Sequence, residues 1–266
     1  MDRGRSERPS SAAGAPIGDV AVLRRCSLFA ALSIADLRAV YRDARRCRIA
    51  KGSVVFRQGD PAGTVYVLIG GQVKLVRAGA RGRQLILGFL QPPDVFGYVA
   101  LLHGTNLYAA WATEDGEALT WNAPTMLRLM RTFPTIALNG LRSIAERIEA
   151  DWGRLQDFAT ATVAQRLARA LVGLARSTGE AAVALPRQDL AEYVGTTPPT
   201  LSRILGRWKH RGIVSATRDT IFIPRLDELK VAAEDTGLPA SGGRGGAGQR
   251  TLRTHRHHLR DSGACF

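Results

Sequence analysis

A chain of 266 residues, 45% of them hydrophobic, is long enough for two ordinary domains with separate cores. Lys and Arg number 37 against 23 Asp and Glu, and the formal charge of +14 suits an anionic partner, either nucleic acid or a membrane surface. No apolar run reaches the length of a membrane span, so no membrane partner is expected; Cys26, Cys47 and Cys265 form no close pair and no CxxC, which argues against a disulfide framework or a zinc site and for a reducing cytoplasm.

The N-terminal MDRGRSERPSSAAGAP has no apolar h-region, and residues 1–20 are expected to be a disordered lead rather than a signal peptide. A helix follows, with Leu32, Leu37, Val40 and Tyr41 at helical spacing and Ser33 as its N-cap. From about Ile49 to Leu129 the pattern changes to short apolar runs: SVVFRQ, TVYVLI, QVKLVRA, RQLILGFL and GEALTW. Gly59-Asp60-Pro61, Gly70-Gly71, Gly79 with Gly82, and Pro92-Pro93-Asp94 break them. Many short strands at this spacing predict a barrel or jelly-roll sandwich.

A helix of roughly seven turns is expected from about Pro134 to Ala159. Leu141, Ile144, Ile148, Leu155 and Phe158 make one apolar seam along it, longer than one small barrel can cover, which predicts a two-stranded dimer contact. TVAQRLARALVGLARST, residues 162–178, is a further amphipathic helix. VSATRDTIFIP reads as a closing hairpin with Arg218-Asp219 at its tip, and the basic, low-complexity sequence after about Ala233 reads as a disordered tail.

Between them, LPRQDLAEYVGTTPPTLSRILGRWKHRGIV predicts two short helices around a glycine turn. The first runs Gln188 to Tyr193 with Leu190, Ala191 and Val194 inward; Gly195 makes the turn, and Thr196 or Thr197 caps the second helix. Pro198 and Pro199 occupy its first turn, where the missing N–H costs nothing. Leu201, Leu205 and Trp208 bury one face, leaving Thr200, Arg203 and Arg207 on the other. An exposed polar stripe on an anchored helix is what entry into a DNA major groove requires. From Pro186 to Arg225 seven basic residues face three acids, as phosphate binding demands.

The motifs LFAALS, KGSVVFRQGDPAGTVYVLIGGQVKL, ILGFLQPPDVFGYVALL, the long helix and RQDLAEYVGTTPPTLSRIL occur in one order from about Cys26 to Leu229. In this the chain resembles the CRP/FNR superfamily, transcription factors of the catabolite-activator and anaerobic-regulator type. The resemblance implies an α+β protein: a lead over residues 1–20, a cyclic-nucleotide-binding-like β-roll sensor over 21–132, a dimerisation helix over 133–160, a winged helix-turn-helix over 161–232, and a basic tail over 233–266. It implies a homodimer on double-stranded DNA, with RNA polymerase as a further partner of an activator. By resemblance, Arg187 and Gln188 touch phosphate, and Pro198, Pro199 and Arg203 face base edges, with Thr197, Thr200 and Ser202 completing the DNA set. Only Arg203 keeps the residue type usual in the family; Pro198 and Pro199 stand where Arg and Glu are usual.

The resemblance places an effector pocket at Tyr98, Val99, Tyr108 and Ala109, with Asp151 and Trp152 on the long helix. Cyclic-AMP-binding members carry Glu and Arg where this chain has Tyr98 and Tyr108. Tyrosine supplies neither the cation that a cyclic phosphodiester needs nor a carboxylate for the ribose hydroxyl. Cyclic AMP is therefore not expected to bind in the usual way, and an apolar or aromatic effector, or none, suits these residues better. Asp151 falls on the expected seam, where it is either a charge tolerated by solvent or a polar switch position beside the effector cavity. No cofactor is expected. Cys26 and Cys47 are too few for an iron–sulfur cluster. Haem is the alternative, but His103, the one histidine before His210, reads as an exposed loop residue, and His255, His257 and His258 belong to the tail. A cupin-like enzyme would need several His and Glu ligands on neighbouring strands, and the strand region holds a single His. A cyclic-nucleotide module controlling an enzyme would need a catalytic domain that the motifs do not supply.

Overall fold

The computed structural model of the protein describes residues 17–79, 84–178, 181–217 and 220–234. The expected tail beyond Glu234, Gly82 and the hairpin tip Arg218-Asp219 lie outside them, while Ala233 and Glu234, expected to begin the tail, belong to the last helix. Helix α1 (Ile17–Arg25) starts inside the segment expected to be a lead, because Val20 and Leu23 pack into the sensor core. After a 3-10 turn at Ser27–Phe29 comes α2 (Ile34–Arg42). Ser33 Oγ accepts from the Asp36 N–H at 3.1 Å while the Asp36 carboxylate accepts from the Ser33 N–H at 3.3 Å, a reciprocal cap that fixes where the helix begins. Leu32 and Leu37, on either side of that cap, enter the same core.

The strands β1 (Arg45–Ile49), β2 (Val54–Phe56), β3 (Thr64–Gly70), β4 (Val73–Ala78), β5 (Gln84–Leu90), β6 (Val95–Phe96), β7 (Ala109–Ala112) and β8 (Gly116–Asn122) form two antiparallel sheets, ordered β1-β8-β3-β6 and β2-β7-β4-β5. Helix α3 (Ala100–His103) lies between β6 and β7. The five apolar runs read from the sequence are all strands. Strands β1, β6 and β7 were not legible. β1 is an edge strand, RRCRI, with only Ile49 buried, and β7 turns the small Ala110 and Ala112 inward. Phe56, Leu68, Leu75 and Phe96 fill the space between the sheets. On the outer side of β3 and β8, Trp121 packs on Phe29 and its Nε1–H donates to the Val40 carbonyl at 2.9 Å, tying α2 to the roll.

Helix α4 (Ala123–Thr132) also escaped the sequence reading, although Asn122 caps it through the Thr125 N–H at 2.9 Å. Helix α5 (Pro134–Thr160) has the expected bounds. Its first two turns are anchored: Ile136, Asn139 and Gly140 are buried, and Asn139 Nδ2 donates to the carbonyls of Leu28 and Ala30. The C-terminal part consists of α6 (Val163–Thr178), β9 (Ala182–Ala184), α7 (Arg187–Val194), α8 (Pro198–His210), β10 (Ser215–Ala216), β11 (Thr220–Phe222) and α9 (Leu226–Glu234). One core joins them, built on Leu167, Leu171, Leu190, Leu201, Trp208 and Ile221. The expected hairpin β10–β11 extends to three strands, ordered β10-β11-β9. No helix among the described residues is long and apolar enough to cross a membrane.

Candidate nucleic-acid interface and sensor pocket

Helices α7 and α8 meet at Gly195, whose φ of +72° lies in the left-handed region. A side chain there would be strained by the backbone and would also run into the Phe158 ring. Thr197 is the extended N-cap of α8, and its hydroxyl donates to Thr200 Oγ1 at 3.1 Å rather than accepting from the helix backbone. Pro198 and Pro199 take the first two helical positions, as the sequence predicts. Leu201, Ile204, Leu205 and Trp208 are buried; Pro199, Ser202, Arg203 and Arg207 are exposed and Thr200 half-buried. Arg203 and Arg207 have no carboxylate partner among the described residues. α8 thus presents donors and positive charge on the face its core does not use. Arg207 and Lys209 add charge at its C-terminus.

Gln188 is exposed on the first turn of α7 and donates to Glu192 Oε1 at 2.7 Å. Arg187 is only half-exposed: its Nη2 donates to the Thr217 carbonyl at 2.9 Å, which joins α7 to the wing. A phosphate contact by Arg187 would therefore share the side chain with a structural bond, which the sequence did not foretell.

The apolar face of α5 differs in detail from the expected seam. Leu138, Leu141, Ala145, Ile148, Trp152 and Leu155 are exposed and follow one another by three and four residues, with Trp152 70% and Leu155 68% exposed. Of the residues expected in the seam, Leu141, Ile148 and Leu155 lie on this exposed line, together with Leu138 and Trp152. Ile144, Asp151 and Phe158 lie to one side of this line, because a strict heptad spacing moves those positions round the helix. Ile144 is half-buried, Asp151 accepts from Arg147 Nε at 3.3 Å, and Phe158 turns toward Gly195 with the Arg166 guanidinium 5.1 Å above its ring.

The residues expected in the effector pocket divide into two groups. Tyr98, Val99, Tyr108 and Ala109 are all half-buried, and Tyr98 and Tyr108 lie close enough to interact. Asp151 and Trp152 do not join them, since both are exposed on α5. The groups of α5 that reach Tyr98 are Gly140, Ser143 and Arg147, one to three turns earlier. Burial pushes the Tyr98 hydroxyl above its ordinary pKa and the neighbouring Tyr108 adds to this, while Ser143 and Arg147 pull it back. Burial likewise raises Tyr108, opposed by the Gly97 backbone and Arg147. Both phenols are therefore neutral donors near neutral pH. Phe56 sits 5.9 Å from Tyr66, 6.0 Å from Phe96 and 5.9 Å from Tyr108, so aromatic rings occupy much of this interior. The cation near Tyr98 and Tyr108 is Arg147 of α5, whose Nη2 already donates to the Leu87 carbonyl at 2.8 Å. His103 is exposed on α3, within 3.1 Å of Thr105 Oγ1.

A third set of residues was missed by the sequence reading because its members are far apart in the chain. Lys74 on β4 meets the Asp189 carboxylate on α7 at 2.7 and 2.8 Å, with both side chains largely buried. Phe89 on β5 packs edge-on against Tyr193, 5.5 Å between centroids. Arg154 on α5 lies 4.6 Å over the same Tyr193 ring and donates to the carbonyls of Ile86, Leu87 and Tyr193. The first helix of the helix-turn-helix is thereby held directly by the roll and by α5.

Residues 46–133 match the family described as the cyclic nucleotide-binding domain, and residues 165–232 match the Crp-like helix-turn-helix domain. The "Cyclic AMP receptor protein" of Thermus thermophilus is 31% identical over 175 residues, which is 65% of this chain and 81% of that protein. The "CRP-like cAMP-activated global transcriptional regulator" of Mycobacterium tuberculosis is 24% identical over 216 residues, 78% of this chain and 96% of that one. In fold, the chain is similar to FixK2 from Bradyrhizobium japonicum, with a TM-score of 0.65 at 24% identity, covering 73% of this chain and 99% of that one. With a nucleotide-binding-type roll, a long helix and a winged helix-turn-helix in this order, and a relative matched over most of its length, the chain belongs to the CRP/FNR family of transcription regulators.

Proposed function

We propose that the protein works as a homodimer that reads an inverted repeat in double-stranded DNA, controlled by an effector other than cyclic AMP. The observation that carries this is the exposed face of α8, where Arg203 has no carboxylate partner among the described residues and stands above a buried row of Leu201, Leu205 and Trp208. Arg203 is assigned a bidentate contact to guanine O6 and N7. Arg187, Gln188, Thr197, Thr200 and Ser202 are assigned to phosphates, which fix register without reading sequence. Pro199 offers the bases no donor or acceptor, so readout beside the guanine is loose or rests on a thymine methyl. The dimer contact is the face of Leu138, Leu141, Ile148, Trp152 and Leu155, which a two-fold axis would place against itself. Such a dimer sets its half-sites roughly one helical turn apart. An activating role would add RNA polymerase as a partner, and DNA binding places the work in the cytoplasm.

The neutral phenols of Tyr98 and Tyr108 and the rings around Phe56 support an apolar or aromatic effector, or none. Selection from a randomised-site library with the purified full-length protein tests the DNA reading: an inverted repeat with a fixed guanine in each half-site is expected, and the guanine is lost with Arg203→Ala. A half-site without a fixed guanine overturns the assignment. Calorimetry with cyclic AMP tests the effector reading, which micromolar binding abolished by Tyr108→Ala would refute.

A further inference from the structure

Three arginines surround a cavity of about 130 Å³ where the end of α5, α6 and the end of α7 meet. Arg154 comes from α5, Arg166 and Arg169 from α6, and the rings of Phe158 and Tyr193 form part of the wall. The single carboxylate present, Asp157, pairs with Arg169. Arg154 and Arg166 have no carboxylate partner among the described residues; both are satisfied only by backbone carbonyls. Arg166 donates to Ala161, Val194 and Gly195, and its plane lies over Phe158; Arg154 lies over Tyr193. A guanidinium carries five N–H donors in one plane. Three hydrogen bonds on each of these two therefore hold it rigid and leave donors for a guest. The cavity is lined by three positive charges and one negative, in a recess where water screens less than on open surface.

We propose that this junction is a binding site for a small oxyanion, a phosphate either free or carried on a small metabolite, separate from the pocket of the β-roll. Planar, pre-oriented guanidiniums match the oxygens of phosphate, and the volume admits one such group while leaving an ester's remainder outside. DNA phosphate is not the occupant assigned. Tyr193 lies five residues from Gln188 on α7, roughly 140° round the helix from the side that faces DNA in the proposed reading. A guest held by α5, α6 and α7 together would stiffen the joint between the dimer helix and the helix-turn-helix, and so couple anion concentration to DNA affinity.

The test is calorimetry on the full-length protein at low salt, first with inorganic phosphate and then with glycerol 3-phosphate, in the absence of DNA. One site per chain is expected. Tighter binding of the ester assigns the site to a metabolite, and equal or weaker binding to free phosphate. Arg154→Gln and Arg166→Gln should each weaken binding about tenfold or more, since each removes charged hydrogen bonds. Asp157→Asn removes the one opposing charge and should tighten binding about threefold. That variant keeps the test decisive if either arginine substitution impairs folding. Arg203→Gln on α8 should leave binding unchanged. No saturable binding of either probe, or binding insensitive to Asp157→Asn, would show that these arginines serve only to cap helix ends. Loss of binding in Arg203→Gln would place the anion on the DNA face instead. The binding test needs no DNA, so its failure leaves the regulator reading intact.

Discussion

Helices α5 and α8 each leave one long face outside the core, and the two faces are opposite in chemistry. On α8 the uncovered side is Ser202, Arg203 and Arg207, with nothing large and apolar. On α5 it is Leu138, Leu141, Ile148, Trp152 and Leu155. A helix that shows charge suits a hydrated, anionic partner, because its donors lose little by waiting in water. A helix that shows leucine, isoleucine and tryptophan at heptad spacing gains most from a second apolar surface of the same shape. The exposed face, more than the buried one, therefore names the partner.

The largest effect is expected from a charge placed on the α5 face. In the proposed dimer, Ile148→Asp would set two carboxylates against each other in an apolar contact, costing several kcal/mol per dimer and giving monomers with weak operator binding. Sedimentation equilibrium checks it. Asp151→Asn, three residues on but to one side of the line, should leave the dimer unchanged; if it also dissociates the dimer, the heptad assignment is wrong. Next in size is Gly195→Ala, which strains the left-handed turn and meets Phe158. It should destabilise the helix-turn-helix by about 1–3 kcal/mol while α5 still dimerises, as thermal denaturation and sedimentation together would reveal.

On the α8 side, Arg203→Ala should cost about 1–3 kcal/mol of discrimination at the specific site and leave binding to random DNA nearly as it was. Competition gel shifts against a scrambled operator measure this directly. Equal losses on both DNAs would move Arg203 from base to phosphate. The smallest effect is expected at Arg187: Arg187→Ala should weaken specific and random DNA alike and lower the salt slope by about one unit. Because Arg187 Nη2 also holds the Thr217 carbonyl, a slight loss of wing stability should accompany it.

The roll's five apolar strands, the bounds of α5 and the two helices around Gly195 could all be read from the sequence. In each, a local pattern decides the structure: short apolar runs between glycine and proline breakers in β3 and β5, period three to four in α5, and a glycine between two short helices. The strands that escaped have no such pattern. β1 is an arginine-rich edge held by its ladder to β8, and β7 is a four-residue strand, three of them alanine, too short and too weakly apolar to stand out. The exposed line of α5 does not follow the expected seam at every position. Ile144 and Phe158 also recur at three or four residues, and local spacing alone cannot separate the middle of a face from its flank. Phe158 is drawn off by Gly195 and Arg166, which lie 37 and eight residues further along.

By itself the sequence determined the partition into sensor, long helix and DNA-reading unit, and the placing of Arg203 on an exposed stripe. These depend on side chains a few residues apart on one element, where helix and strand geometry dictate who is neighbour to whom. Only the tertiary structure decided that Lys74 holds Asp189, that Arg147 brings a cation to Tyr98 and Tyr108, and that Arg154, Arg166 and Arg169 converge on one cavity. Each of these joins two or three elements, and their pairing follows from how the roll, α5 and α7 pack, a relation that no run of neighbouring residues encodes.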